Sequence, residues 1–191
     1  MDATNLLSSE HRVIERVIDA LEAAAGELER GGRVDPRLFL SASDFIRGFA
    51  DGCHHRKEEG ILFPALARNG FPAETWPVAV MLAEHEQGRV YNRDLRAAAE
   101  RYQTGDSSAA QSIAASAREY GALLRQHIQK EEQVLFKLAD AVIPAKQQPG
   151  ILDGLEKLEQ AETGEGIHEK YLALAEWLES QAAAFAPANA R

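Results

Sequence analysis

A ten-residue pattern occurs twice in the chain, at an offset of 73 residues. His54-His55-Arg56-Lys57-Glu58-Glu59-Gly60-Ile61-Leu62-Phe63 aligns without gaps on His127-Ile128-Gln129-Lys130-Glu131-Glu132-Gln133-Val134-Leu135-Phe136, and the two share His, Lys, Glu, Glu, Leu and Phe. Glu10-His11 and Glu84-His85 echo the repeat 74 residues apart, and Leu21 and Leu95 keep that offset. Related halves of this kind pack about an approximate two-fold axis and set equivalent side chains face to face. On a helix, His54 and Glu58 are four residues apart and share one face; Leu62 continues that face and turns it inward. His127, Glu131 and Leu135 repeat the arrangement. Position 55 is rotated about 100° from position 54, and its repeat partner is Ile128. His55 and Cys53 are therefore expected to point away from whatever the matched residues share. Glu59 and Glu132 are expected to be solvated or to lie beside the matched groups.

The rest of the chain supports helices throughout. Alanine, leucine and glutamate dominate, and apolar positions recur at three and four. A first helix is expected from about Ser9 to Arg30, capped by Ser8 or Ser9 and stopped by Gly31-Gly32. Asp35-Pro36 starts a second, with a capping carboxylate and proline at the first helical position. It runs to about Arg68, where Asn69-Gly70 ends it, and Pro64 is a candidate kink. A proline-bearing loop, Phe71 to Pro77, leads to a third helix over Val78–Gln103. The segment Thr104-Gly105-Asp106-Ser107 caps a fourth that runs to about Val142. Pro144 and Pro149 bracket another loop, and helix resumes from about Ile151, with a frayed tail over Ala183–Arg191. The expected architecture is all-α: an up-down-up-down four-helix bundle over 1–145, with a C-terminal helical extension, 146–191, packed on it.

Composition narrows the function. Thirty acidic against 21 basic residues give a net charge of -9, which disfavours nucleic acid and anionic membranes as partners. No apolar run reaches the roughly 20 residues of a membrane span, and the first residues do not form a secretory leader. The single Cys53 excludes an intrachain disulfide and is compatible with a reducing cytoplasm.

Burying isolated histidines and glutamates in a bundle costs several kcal/mol per charge. A cation offsets that cost. One histidine from each of four helices, with two glutamates, makes a set of six: His11, His54, Glu58, His85, His127 and Glu131. Imidazole with carboxylate suits iron, manganese or zinc. Two glutamates can bridge two ions while the histidines cap them in pairs, as in carboxylate-bridged dinuclear sites within bundles.

The pattern His11, His54-x-x-x-Glu58, His85, His127-x-x-x-Glu131 resembles the hemerythrin-like (HHE cation-binding) family. The flanks Glu58-Glu59-x-x-Leu62-Phe63-Pro64 and Glu84-His85-Glu86-x-Gly88-Arg89 carry the same resemblance, which covers about Leu7 to Ala141. It implies a non-haem centre of two iron ions, with His11, His54, His85 and His127 as terminal ligands and Glu58 and Glu131 as bridges. One position departs from the oxygen carriers of that family, which have a further histidine one turn beyond the third-helix ligand; Arg89 stands there, and a guanidinium does not ligate. The iron of His85 and His127 is then expected to lack a donor. Arg89 either faces the site and binds an anion or snorkels and pairs with Glu86 or Asp94. His168 or Tyr171, in a run that resembles an extension of longer members, can either supply the donor or pack.

The resemblance implies binding of, or reaction with, dioxygen, nitric oxide or peroxide, in oxygen, redox or iron sensing or handling. A di-iron enzyme with catalase or peroxidase activity is one alternative. A metal-responsive module whose C-terminal helix docks or releases is another.

Overall fold

The computed structural model describes residues 2–163 and 167–185. All regular structure among them is helical. Helix α1 is Ala3–Glu29. Helix α2 is a continuous run over 36–68, made of Pro36–Phe45, Ile46–His55, Glu58–Leu62 and Phe63–Arg68. Helix α3 is Val78–Gln103, and α4 runs over 109–142 as Ala109–Lys130, Glu131–Leu135 and Phe136–Val142. Two further helices follow, α5 over Gln148–Thr163 and α6 over Ile167–Ala182.

The ends follow local chemistry. Asp2 caps α1, its carboxylate accepting from the Asn5 N–H at 3.0 Å, so this helix starts six residues before the expected Ser9. Asp35 caps α2 through the Arg37 N–H, with Pro36 inside the first turn. Gly31, Gly70 and Gly105 follow the ends of α1, α2 and α3 with φ of 79°, 98° and 100°, the left-handed conformation that closes a helix most readily at glycine.

Helices α1 to α4 form the expected up-down-up-down bundle: α1 packs on α4, α4 on α3, and α3 on α2. The expected C-terminal helical extension is present as two described segments, and the loop expected at Pro149 is corrected. Pro149 lies in the first turn of α5, and α5 and α6 lie over the α1 and α2 side. Residues 164–166, and the part of the expected frayed tail beyond Phe185, lie outside the described residues.

Two apolar cores are stacked along the bundle. One holds Ile14, Leu21, Phe45, Phe49, Leu95, Tyr120 and Leu124, and the extension adds Ala175 and Leu178 to it. The other holds Leu7, Leu62, Leu66, Met81, Leu135 and Phe136, joined by Ile151 and Leu155 of α5. Each matched histidine falls between members of the two cores along its own helix. The polar layer is thus flanked along the bundle by two apolar ones, which limit its contact with water.

Candidate metal centre

Both ten-residue motifs leave regular α-helical geometry at the same place. The Phe63 N–H bonds to the Glu58 carbonyl and the Phe136 N–H to the Glu131 carbonyl. These are i to i−5 bonds, the widened turn of a π-bulge, a feature frequent at functional sites. Lys137 occupies the position equivalent to Pro64, and the bulge is present there too. The proline is therefore not its cause.

The six matched residues come together, and a seventh joins them. His11, His54, Glu58 and Glu131 form one buried group, and His55, Glu58, His85 and His127 a second; within each, one potential donor atom per residue lies within 4.8 Å of the others. Glu58 belongs to both. Its Oε1 lies 3.7 Å from His54 Nε2 and its Oε2 3.5 Å from His85 Nε2. Glu131 spans the same gap, with Oε2 3.1 Å from His11 Nε2 and Oε1 3.2 Å from His127 Nε2. His85 Nε2 and His127 Nε2 are themselves 3.1 Å apart.

His55 corrects the sequence expectation. It is buried against the centre, stacked on His85 with ring centroids 3.8 Å apart. Its repeat partner Ile128 is apolar, so the repeat does not mark it; helical spacing does, because His55 is three residues from Glu58, as His54 is four, and both flank it. Cys53 has its thiol pushed up to about 12, by burial above all, and lies with Glu10 and Glu159. The buried ammonium of Lys57 already contacts both of those carboxylates.

Four of the imidazoles are fixed from behind by carboxylates next in sequence to other members of the set. His54 Nδ1 donates to Glu10 at 2.9 Å and His127 Nδ1 to Glu84 at 3.0 Å. His11 Nδ1 donates to Glu132 at 3.1 Å and His85 Nδ1 to Glu59 at 2.8 Å. An ionised carboxylate only accepts, so these contacts place a proton on each Nδ1 and turn the Nε2 inward; the Nε2 atoms of His11 and His127 face the Glu131 oxygens, where a cation would take the place of a proton. A cation backs each carboxylate: Lys57 on Glu10, Lys130 on Glu84, Arg12 on Glu132 and Arg89 on Glu59. Glu59 and Glu132 thus lie beside the centre as orienting groups.

Arg89 does not face into the centre. It bonds Asp51 at 2.7 Å, Glu59 at 2.8 Å and Glu86, not Asp94. With Asn92 and Tyr120 it lines a cavity of about 240 Å³ that reaches His55 and His85. His168 is not a member of either donor group. His168 Nδ1 lies 2.8 Å from Glu159. Tyr171 packs on Phe45 and Phe49, and a Cβ at Gly48 would overlap its hydroxyl.

The electrostatics are those of a site short of positive charge. Burial, then the charge of Glu131, pushes Glu58 well above the usual carboxylate range. Burial would also raise Glu131, but His127 and His11 outweigh it and hold it well below. Burial, then neighbouring imidazoles, keeps His55 neutral. His54 Nε2, both His55 nitrogens, both Glu58 oxygens and Glu131 Oε1 are buried without a hydrogen-bond partner among the described residues. Buried polar atoms are rarely left so, and all of these are competent metal donors. The residues present fit a pair of cations.

Comparison with known proteins agrees with this geometry. The family model described as the hemerythrin HHE cation binding domain matches residues 2–139. Uncharacterized proteins of Mycobacterium bovis and of two Mycobacterium tuberculosis strains are each 23% identical over 159 residues, 83% of this chain and 62% of theirs. The chain thus spans less than two thirds of the length of these curated relatives. No solved structure gives a significant match.

Proposed function

Because the chain belongs to the hemerythrin HHE cation-binding family, we propose that it holds two iron ions in a carboxylate-bridged centre that binds or reacts with dioxygen, nitric oxide or peroxide. His11 and His54 hold one ion, and His55, His85 and His127 the other, with Glu58 and Glu131 between them. The observation that carries this reading is the straddling of both glutamates, each of which offers one oxygen to either histidine group. Donors of nitrogen and carboxylate type, with the one thiol outside the set, suit iron; manganese and zinc are the alternatives. When bound, reduced iron supplies electrons and vacant coordination positions to a small ligand.

The protein's own part is orientation and exclusion. Glu10, Glu59, Glu84 and Glu132 hold four imidazoles in the tautomer that ligates. The two apolar cores limit the centre's contact with bulk water. The cavity beside His55 and His85 gives a small ligand its approach, with Arg89 tied to Asp51 and Glu59 at its wall. With Arg89 in place of a further histidine, the sequence leads one to expect a missing donor at the His85 and His127 half. His55 removes that expectation, and the half with fewer protein donors is the one of His11 and His54.

The test is metal analysis of protein grown with ample iron, followed by optical spectra of the reduced protein on exposure to dioxygen, nitric oxide and peroxide. Two irons per chain and a spectral change with at least one of these ligands support the proposal. A single tightly held zinc, with no response to any of them, overturns it.

A further inference from the structure

The two halves of the centre differ in what lies behind them. Lys57 and Lys130 are repeat equivalents, and each ammonium contacts the carboxylate that fixes a histidine: Lys57 on Glu10 behind His54, Lys130 on Glu84 behind His127. The Lys57 side chain is 0% exposed and that of Lys130 38%. The difference is the C-terminal extension. Glu159 of α5 reaches Lys57 from the far side, so the ammonium is enclosed between two carboxylates. The other Glu159 oxygen lies 2.8 Å from His168 Nδ1 of α6, so both helices of the extension converge on that carboxylate.

Of the two repeat-bearing helices, α2 is the one shaped to seat α5. A Cβ on Gly60 would come within 2.9 Å of Leu158, and one on Gly154 within 3.3 Å of Ile61. The repeat equivalent of Gly60 on α4 is Gln133, whose side chain would obstruct such an approach. Enclosing an ammonium costs several kcal/mol, and only well-placed carboxylates on both sides offset that. If α5 lifted away, Lys57 would lose one of its two partners, and water would reach Glu10 and the back of His54.

Building on the dinuclear reading above, we propose that Glu159 and Lys57 are positioning residues through which the docked C-terminal helices fix His54. The chain of contacts is Glu159, Lys57, Glu10, His54. Docking of α5 and α6 and filling of the His11–His54 half therefore favour one another. Linkage makes the coupling reciprocal: whatever factor docking adds to metal affinity, metal adds to docking. The His55–His85–His127 half, backed by the half-buried Lys130, is outside this coupling.

The experiment compares the full chain with Glu159→Gln, Lys57→Met and Lys130→Met. Retention of ferrous iron is measured against a chelator, and hydrogen exchange over 148–163 and 167–182 with and without iron. In the unaltered protein, iron is expected to slow exchange in both segments. Glu159→Gln and Lys57→Met should abolish that slowing and weaken one of two ions by roughly 10-fold to 100-fold, the range for groups that orient a ligand. Lys130→Met should leave the slowing intact. The proposal is overturned if the unaltered protein binds two ions without any change in exchange over these segments. It is equally overturned if both Glu159→Gln and Lys57→Met keep the two ions at unaltered affinity. Absence of bound metal in the unaltered protein would defeat the dinuclear reading itself, and this inference with it.

Discussion

His55 stacks on His85, with ring centroids 3.8 Å apart and planes within 10° of parallel. This contact gives the His85 and His127 half of the centre a third imidazole and breaks the symmetry of the repeat, whose other copy has Ile128. Replacing His55 with alanine should weaken one of the two ions by at least 10-fold and leave the other in place, since the loss of even a group that orients a ligand costs that much. Chelator competition measures it. Unchanged retention of both ions would show that His55 only packs.

Glu58→Ala and Glu131→Ala should each abolish the pair of ions, because each removes a carboxylate shared by both histidine groups. Glu59→Ala and Glu132→Ala should weaken binding about 10-fold to 100-fold without abolishing it, since they orient His85 and His11. Metal content after dialysis separates the outcomes. Equal loss in all four variants would contradict the assignment of bridges.

Glu59 gives a pH dependence. The His85 hydrogen bond, against burial and with help from Arg89, holds its carboxyl down at about 2 from the ordinary 4.5. A depressed carboxylate stabilises the fold above its unfolded pKa, and this contribution disappears as pH falls through the folded value. The melting-temperature gap between the metal-free protein and its Glu59→Gln variant should therefore be full above about pH 5 and close by about pH 2. A gap that stays constant over this range would count against the interaction.

Tyr171→Phe should leave the visible spectrum of the iron-loaded protein unchanged. Its ring packs on Phe45 and Phe49, with the hydroxyl over Gly48. Loss of an absorption band in this variant would place a tyrosinate at the metal.

The legible parts of this protein are those written in spacing. Apolar periodicity, glycine stops and the Asp35-Pro36 start gave the bundle helices, and the repeat picked out the residues from four helices that converge. The start of α1 was missed because Asp2 caps it and Ser8 and Ser9 lie inside the helix. His55 is not legible in the repeat, whose other copy has Ile128; its signal is the three-residue spacing to Glu58. The partners behind the histidines were hidden for another reason. Glu10, Glu59, Glu84 and Glu132 each hold a ring on a different helix, and only the packing of helices pairs them. The same holds for Glu159 and Lys57, which lie 102 residues apart in the chain.

Iron-57 Mössbauer spectroscopy of the reduced, iron-loaded protein distinguishes a dinuclear centre with unequal halves from any other occupancy of the site. The arrangement predicts two distinguishable iron environments in equal amounts, one held by His55, His85 and His127, the other by His11 and His54, with Glu58 and Glu131 shared. A single iron environment at one ion per chain would contradict it.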